Sequence, residues 1–286
     1  MQRQLRFTKM QGAGNDFVMV NAYESPLDLT EQDIRYICDR RFGVGCDQML
    51  VVEKSDLPDV DFKYRIFNQD GGEVEMCGNG ARCFAVFVRD EGLTDKKTIR
   101  CETMKGVIAP TVETATTVTV DMGAPRFSPE EVGFIPQGIA ALTRADDKLY
   151  QIKAGGEDNW VSIVSMGNPH AVKLVGEASE AAVAEIGADF QKHPAFPHQV
   201  NVGFLQILDR THVKLRVFER GVGETLACGT GACAAVVAGI RRGALDSCVE
   251  VEMAGGRLTI AWAGEDNSVY LTGPAVIVFK GEMTLP

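Results

Sequence analysis

Two short segments alternate apolar and polar residues with a period of two: "DFKYRIFN" (61–68) and "VKLRVFE" (213–219). That period predicts half-buried strands. Each is followed by a glycine turn, "DGG" in one case and "RGVG" in the other. Each turn leads into an apolar run too long for a strand, "ARCFAVFVRDEG" (81–92) and "ACAAVVAGIRRG" (232–243). Both runs predict buried helices, stopped near Gly92 and Gly243. Downstream lie the Thr- and Val-rich stretches 97–123 and 247–283, which predict further strands joined by tight turns.

The resemblance between these segments is literal. Displaced by 151 residues, "FKYRIFNQDGGEVEMCGNGA" lies over "VKLRVFERGVGETLACGTGA", with nine identities in twenty positions and no gap. The echo continues upstream, where "GNDFVMV" (14–20) meets "GNPHAVK" (167–173) and Gln48 falls over Gln199. A period this long excludes a solenoid and predicts two homologous domains. The expected fold is α+β: two pseudo-symmetric halves, each an antiparallel, barrel-like sheet wrapped around a central helix. The boundary is expected at the Pro-rich stretch 123–138, giving halves 1–123 and 124–273, with 274–286 packing back on the first.

The chain has 286 residues, 45% hydrophobic and 24% charged, which suits a folded globular protein. Its net charge of −10 argues against a nucleic-acid partner. No apolar leader opens the N-terminus and no apolar run is long enough for a membrane helix, so a cytoplasmic location without membrane association is expected. Four histidines and eight cysteines occur without zinc-ligand spacing, so no metal is expected. Six of the cysteines, Cys46 and Cys83 among them, are expected as packing thiols. There is no phosphate-binding G-x4-GK[ST] loop, and "GAGNDF" lacks the third glycine of a dinucleotide fingerprint.

Cys77 and Cys228 stand apart from the other six. Each immediately precedes a predicted helix, inside a glycine-rich turn, and each is the repeat counterpart of the other. Helix N-termini carry unpaired N–H groups and partial positive charge, which stabilise a thiolate and can hold a carboxylate. Two such cysteines on opposite sides of one ligand could take a proton from one face of a carbon and return one to the other.

The motifs "GAGNDFVMVNA", "RRFGVGCDQML", "FNQDGGEVEMCGNGARC", "MGNPHAV", "VNVGF", "FERGVGETLACGTGACAA" and "GGRLTIAW", in this order, resemble the diaminopimelate epimerases over nearly the whole chain. The resemblance implies a cofactor-independent epimerisation of LL- to meso-diaminopimelate, in lysine and peptidoglycan precursor synthesis, by a homodimer. It implies Cys77 and Cys228 as the acid/base pair, Cys77 facing the LL isomer. Gly78, Asn79, Gly229 and Thr230 would hold the reacting carboxylate. Asn15, Asn68, Asn168, Asn201, Glu219 and Arg220 would hold the distal end and the reacting amine, with Gln48 lining the site. His170 and Glu219 would tune the thiols. Gln69, where Ala is common, and Gly203, where an acidic residue is common, depart from the pattern at positions without catalytic roles. The alternative is another cofactor-independent racemase, of the proline racemase type. A duplicated binding module would keep the Asn and Arg residues without needing paired thiols.

Overall fold

A computed structural model describes residues 3–75 and 77–286. Met76, inside the first cysteine motif, lies outside the described residues. The chain divides into two compact units: residues up to Asp121 together with Thr272–Pro286, and Met122–Leu271.

The first unit runs β1 (Arg3–Gly12), β2 (Asn15–Asn21), α1 (Glu31–Cys38), β3 (Gln48–Glu53), β4 (Phe62–Asn68), β5 (Glu73–Val74), α2 (Gly78–Asp90), β6 (Cys101–Thr103), β7 (Gly106–Ile108), β8 (Thr111–Thr114) and β9 (Thr117–Asp121). The second runs α3 (Pro129–Val132), β10 (Ala141–Arg144), β11 (Asp147–Ala154), β12 (Glu157–Ser165), β13 (Pro169–Leu174), α4 (Val183–Lys192), β14 (Asn201–Ile207), β15 (His212–Glu219), β16 (Gly223–Thr225), α5 (Gly229–Arg241), β17 (Cys248–Met253) and β18 (Gly256–Ala261). The chain returns to the first unit within β19 (Tyr270–Pro274) and ends on β20 (Val276–Leu285), which pairs antiparallel with β1 from Arg3↔Leu285 to Gln11↔Val276.

The main sheet of the first unit has the order β20-β1-β2-β3-β4-β6-β7, with β5 hairpinned onto β4. The second unit repeats this order from β1 to β7 as β12-β13-β14-β15-β17-β18, with β16 hairpinned onto β15. Most pairs are antiparallel, as the alternation predicts. Among the described pairings, β2 with β3, β4 with β6, β13 with β14 and β15 with β17 are parallel. Parallel neighbours require a crossover. The crossovers carry α1, α2, α4 and α5 respectively.

Each unit is thus α+β, its sheet wrapped around one buried helix. In α2 every residue from Gly78 to Val88 is buried, and in α5 every residue from Gly231 to Gly239. A second, shorter helix covers the opposite face, a layer that the sequence pattern does not reveal. Ile34 and Ile37 of α1 pack with Met49 and Val51 of β3. Ile186 and Phe190 of α4 pack with Val202 and Phe204 of β14. Covering on both faces explains why β3 and β14 read as continuous apolar runs rather than alternating ones.

The register corrects one sequence alignment. Phe17 of β2 faces Gln48 of β3, and His170 of β13 faces Asn201 of β14. The counterpart of Gln48 is therefore Asn201. Gln199 lies before β14 with φ 61. The displacement is 153 residues up to this point and 151 from Asn68/Glu219 onward, because the β14–β15 connection is two residues shorter than the β3–β4 connection.

One expected packing thiol behaves differently. Cys38, Cys46, Cys83, Cys101 and Cys233 are buried, but Cys248 is exposed. It starts β17 on the outward phase of a strand whose burial alternates.

Candidate active site

Both cysteines cap helices with nearly the same backbone geometry. Cys77 has φ −131 and ψ 122 before α2; Cys228 has φ −127 and ψ 109 before α5. The first intrahelical bonds run from Ala81 N to Cys77 O (2.8 Å) and from Ala232 N to Cys228 O (2.9 Å). The amides of Gly78, Asn79 and Gly80, and of Gly229, Thr230 and Gly231, precede those bonds and form the positive end of each helix. Strand order delivers polar side chains to the same end. Asn15 and Gln48 begin the parallel strands β2 and β3, and Asn68 ends the antiparallel β4 that leads through β5 into α2. In the second unit Asn168 precedes β13, Asn201 begins β14 and Glu219 ends β15.

Around Cys77, the sulfur is 3.6 Å from Asn15 Oδ1, which also accepts from Asn79 Nδ2 (3.2 Å). Asn79 Oδ1 accepts from Nη2 of the fully buried Arg82 (2.8 Å), and Asn15 Nδ2 donates to Asp47 Oδ2 (2.8 Å). Guanidinium donates only and an ionised carboxylate accepts only, so the two amides are oriented from both ends. Gln48 Nε2 donates to Asn68 Oδ1 (2.9 Å) across a register pair. Tyr64 Oη lies 3.4 Å from Cys77 O, and burial keeps this phenol protonated. A methyl group on Gly80 would come within 2.8 Å of that hydroxyl, so glycine lets the helix end sit against β4.

Around Cys228, Thr230 Oγ1 is 3.6 Å from the sulfur and accepts from Asn168 Nδ2 (3.3 Å). Asn168 Oδ1 bonds His170 Nε2 (2.9 Å). His170 thus reaches Cys228 through Asn168 and Thr230. Burial, and next the Arg220 charge, hold its imidazole down to about 3, so it works as a neutral ring. Asn201 Oδ1 accepts the Arg220 amide (3.0 Å) and Asn201 Nδ2 donates to Pro169 O (2.9 Å). The Arg220 side chain is exposed and reaches His198 O at 3.4 Å. Glu219 Oε1 accepts from Thr225 Oγ1 (2.6 Å). Burial raises the Cys228 thiol well above its usual value, and the neighbouring Glu219 carboxylate raises it further. The Thr230 hydroxyl and the Gly231 amide pull it the other way.

Within the first unit, Asn15, Cys77 and Asn79 are in contact, as are Gln48 and Asn68. Within the second, Asn168, His170, Thr230 and Cys228 form a chain, with Glu219 against the thiol. Three side chains that hold these groups are not singled out by sequence reasoning. Asp47 is an ordinary loop acid by type. Arg82 carries a signal, a cation within an apolar helix. Thr225 carries one too, because it replaces Val74 in the repeat. Among the described residues, no cluster of three or more His, Cys, Asp or Glu side chains has the arrangement of a metal site. No helix among them is long and apolar enough to cross a membrane.

Known proteins resemble this chain in sequence and in fold. The sequence model of the diaminopimelate epimerase family matches residues 7–128 and 162–278. A diaminopimelate epimerase of Ralstonia pickettii is 57% identical over 281 residues, 98% of this chain and 96% of that protein. One of Herminiimonas arsenicoxydans is 57% identical over 281 residues, 98% of this chain and 99% of that one. Among solved structures, a PhzF-family phenazine biosynthesis protein of Bacillus anthracis superposes with TM-score 0.68 at 18% identity, covering 98% of this chain and 99% of that one. A hydroxyproline epimerase of Agrobacterium vitis superposes with TM-score 0.64 at 14% identity, covering 100% of this chain and 94% of that one. These two share the fold. On the family match and the close relatives, the chain belongs to the diaminopimelate epimerase family.

Proposed function

We propose that this protein interconverts LL- and meso-diaminopimelate by a two-base mechanism, serving lysine and peptidoglycan precursor synthesis. The observation that carries the reading is the duplicated cysteine at the N-cap of a buried helix, with nearly the same backbone angles in both units. In the LL-to-meso direction the Cys77 thiolate removes the α-hydrogen and the Cys228 thiol returns a proton to the opposite face. The roles exchange in reverse. The raised proton affinity of Cys228 suits it to the donor role.

Removing a weakly acidic α-hydrogen requires that the charge developing on the carboxylate be stabilised. The amides of Gly78, Asn79, Gly229 and Thr230 supply this as preorganised donors, so the reading calls for no cofactor. Asn15, Gln48, Asn68, Asn168, Asn201, Glu219 and Arg220 bind the remaining ammonium and carboxylate groups. Asn and Gln can donate and accept, Glu219 matches an ammonium, and Arg220 offers a fork for the distal carboxylate. His170 and Glu219 tune Cys228, the first through Asn168 and Thr230 and the second by direct charge.

The same reading makes the protein a cytoplasmic homodimer. Support for self-association comes from β20, an edge strand paired on one side with β1, which leaves Val278 and Phe279 exposed. The test of function is deuterium wash-in. Incubated with LL-diaminopimelate in heavy water without added cofactor, the protein should exchange the α-hydrogen and form the meso isomer. Absence of exchange rejects the reading.

A further inference from the structure

The two units differ at one coordinated pair of positions. Val217 faces Thr225 across the β15–β16 hairpin, and Ile66 faces Val74 across the β4–β5 hairpin. Asn68 ends β4 where Glu219 ends β15. Where the first unit has Asn68 and Val74, the second therefore has Glu219 and Thr225. The carboxylate and the hydroxyl occur together, 2.6 Å apart, with both residues half-buried. The neutral unit has an amide and a methyl-bearing side chain at the same places. Its Asn68 is instead held by Gln48 Nε2 at 2.9 Å.

We propose that Thr225 is a positioning residue of the second half-site: its hydroxyl holds one oxygen of Glu219 and so keeps the carboxylate charge beside the Cys228 sulfur. Glu219 has three rotatable side-chain bonds and sits at a strand end. Without an anchor it can turn toward solvent. A hydrogen bond to an ionised acceptor is among the stronger side-chain contacts, and 2.6 Å is the length expected of an O–H to carboxylate bond. The anchor lies on β16, two residues before the buried Ala227 and three before Cys228, so the strand that delivers the thiol also fixes its charged neighbour. The proposal rests on the two-thiol reading only for its catalytic consequence.

The test uses Thr225→Val, which keeps the shape and removes the hydroxyl, and Thr225→Ser, which keeps the hydroxyl. The substrate-free protein is labelled with 13Cβ-cysteine, and the Cys228 resonance, assigned with Cys228→Ser, is followed as pH rises. In Thr225→Val the Cys228 resonance should titrate at lower pH than in wild type by about one unit, the size of a neighbouring-charge effect. Thr225→Ser should follow wild type, Cys77 should not move, and Glu219→Gln should shift Cys228 at least as far as Thr225→Val. Four results overturn the proposal: Cys228 in Thr225→Val behaving as wild type, Thr225→Ser shifting with it, Cys77 moving equally, or Glu219→Gln having no effect. Since no substrate is present, failure of deuterium wash-in leaves this result standing, and the reverse holds as well.

Discussion

Cys77 and Cys228 occupy the same backbone position in their own units, and the helices behind them end alike, at Glu91 and Arg242 with φ −74 and ψ −3 in both. An ancestral half-site has been copied entire, from N-cap to C-cap, while the side chains around each sulfur have diverged.

If both thiols carry protons during turnover, neither can be spared. Cys77→Ala and Cys228→Ala should each lower epimerisation by at least about 100-fold, the low end for loss of a general acid or base. The check is turnover in both directions by a stereospecific assay. Near-wild-type turnover by either variant rejects the two-base assignment.

Gly231 stands against the sulfur it follows. A Cβ there would lie 3.2 Å from Cys228 Sγ and 3.1 Å from Val217 Cγ2. Gly231→Ala should push the thiol by a few tenths of an ångström and reduce kcat, by less than the roughly 100-fold that a 1 Å misplacement costs. Stability should hold, since alanine favours the helix. Activity and thermal melting measured on the same sample separate the two effects.

His170 is buried and its imidazole is held down to about 3 from an ordinary 6.5, first by burial. Between those values the unfolded chain binds a proton that the folded chain refuses, so stability falls as pH drops below 6.5. The slope from this one group is about 1.4 kcal/mol per pH unit. His170→Phe, which copies Phe17 of the first unit, should lose less stability between pH 7 and pH 4.5 than wild type. Urea unfolding at the two pH values reads the difference.

The end of α5 is fastened by a buried ion pair. Arg242 Nε donates to Asp147 Oδ2 (3.0 Å), Nη2 donates to Ser162 Oγ (2.6 Å) and to Val172 O (3.0 Å), and the Arg242 and Asp147 side chains are 4% and 5% exposed. Arg242→Met should destabilise the protein by about 3–5 kcal/mol, because Asp147 is left charged and buried. Adding Asp147→Leu should restore much of that loss. Denaturant midpoints of the single and double variants test the coupling.

Much of this was legible because the repeat preserves residues whose roles are local. The identical pairs Arg65/Arg216 and Glu73/Glu224 form the same two-pronged contact in each unit, Arg65 Nε to Glu73 Oε1 at 2.9 Å and Arg216 Nε to Glu224 Oε1 at 2.6 Å. They brace the hairpin that leads to each cysteine. The helix starts were legible for the same reason, since a cysteine before glycines marks an N-cap in both copies. Asn201 as the counterpart of Gln48 was missed because the displacement of 151 at the cysteine motif was carried past the shortened β14–β15 connection, although the upstream match of Asn15 with Asn168 runs at 153. The covering helices α1 and α4 escaped because their sequences lie outside the strong repeat. Asp47, Arg82 and Thr225 escaped because their effect passes through another side chain: the last two carry a signal in the sequence, but which group each one holds appears only from the distances.

The pairing of β20 with β1 has a consequence for biosynthesis. The strand that borders the first unit is translated after all of the second unit. The unit whose residues leave the ribosome first is therefore completed last. The second unit, continuous in sequence, can close while the first still presents β1 with an open edge. Completion of the first unit thus waits for the end of translation, and until then β1 presents an open sheet edge of the kind that invites wrong pairing.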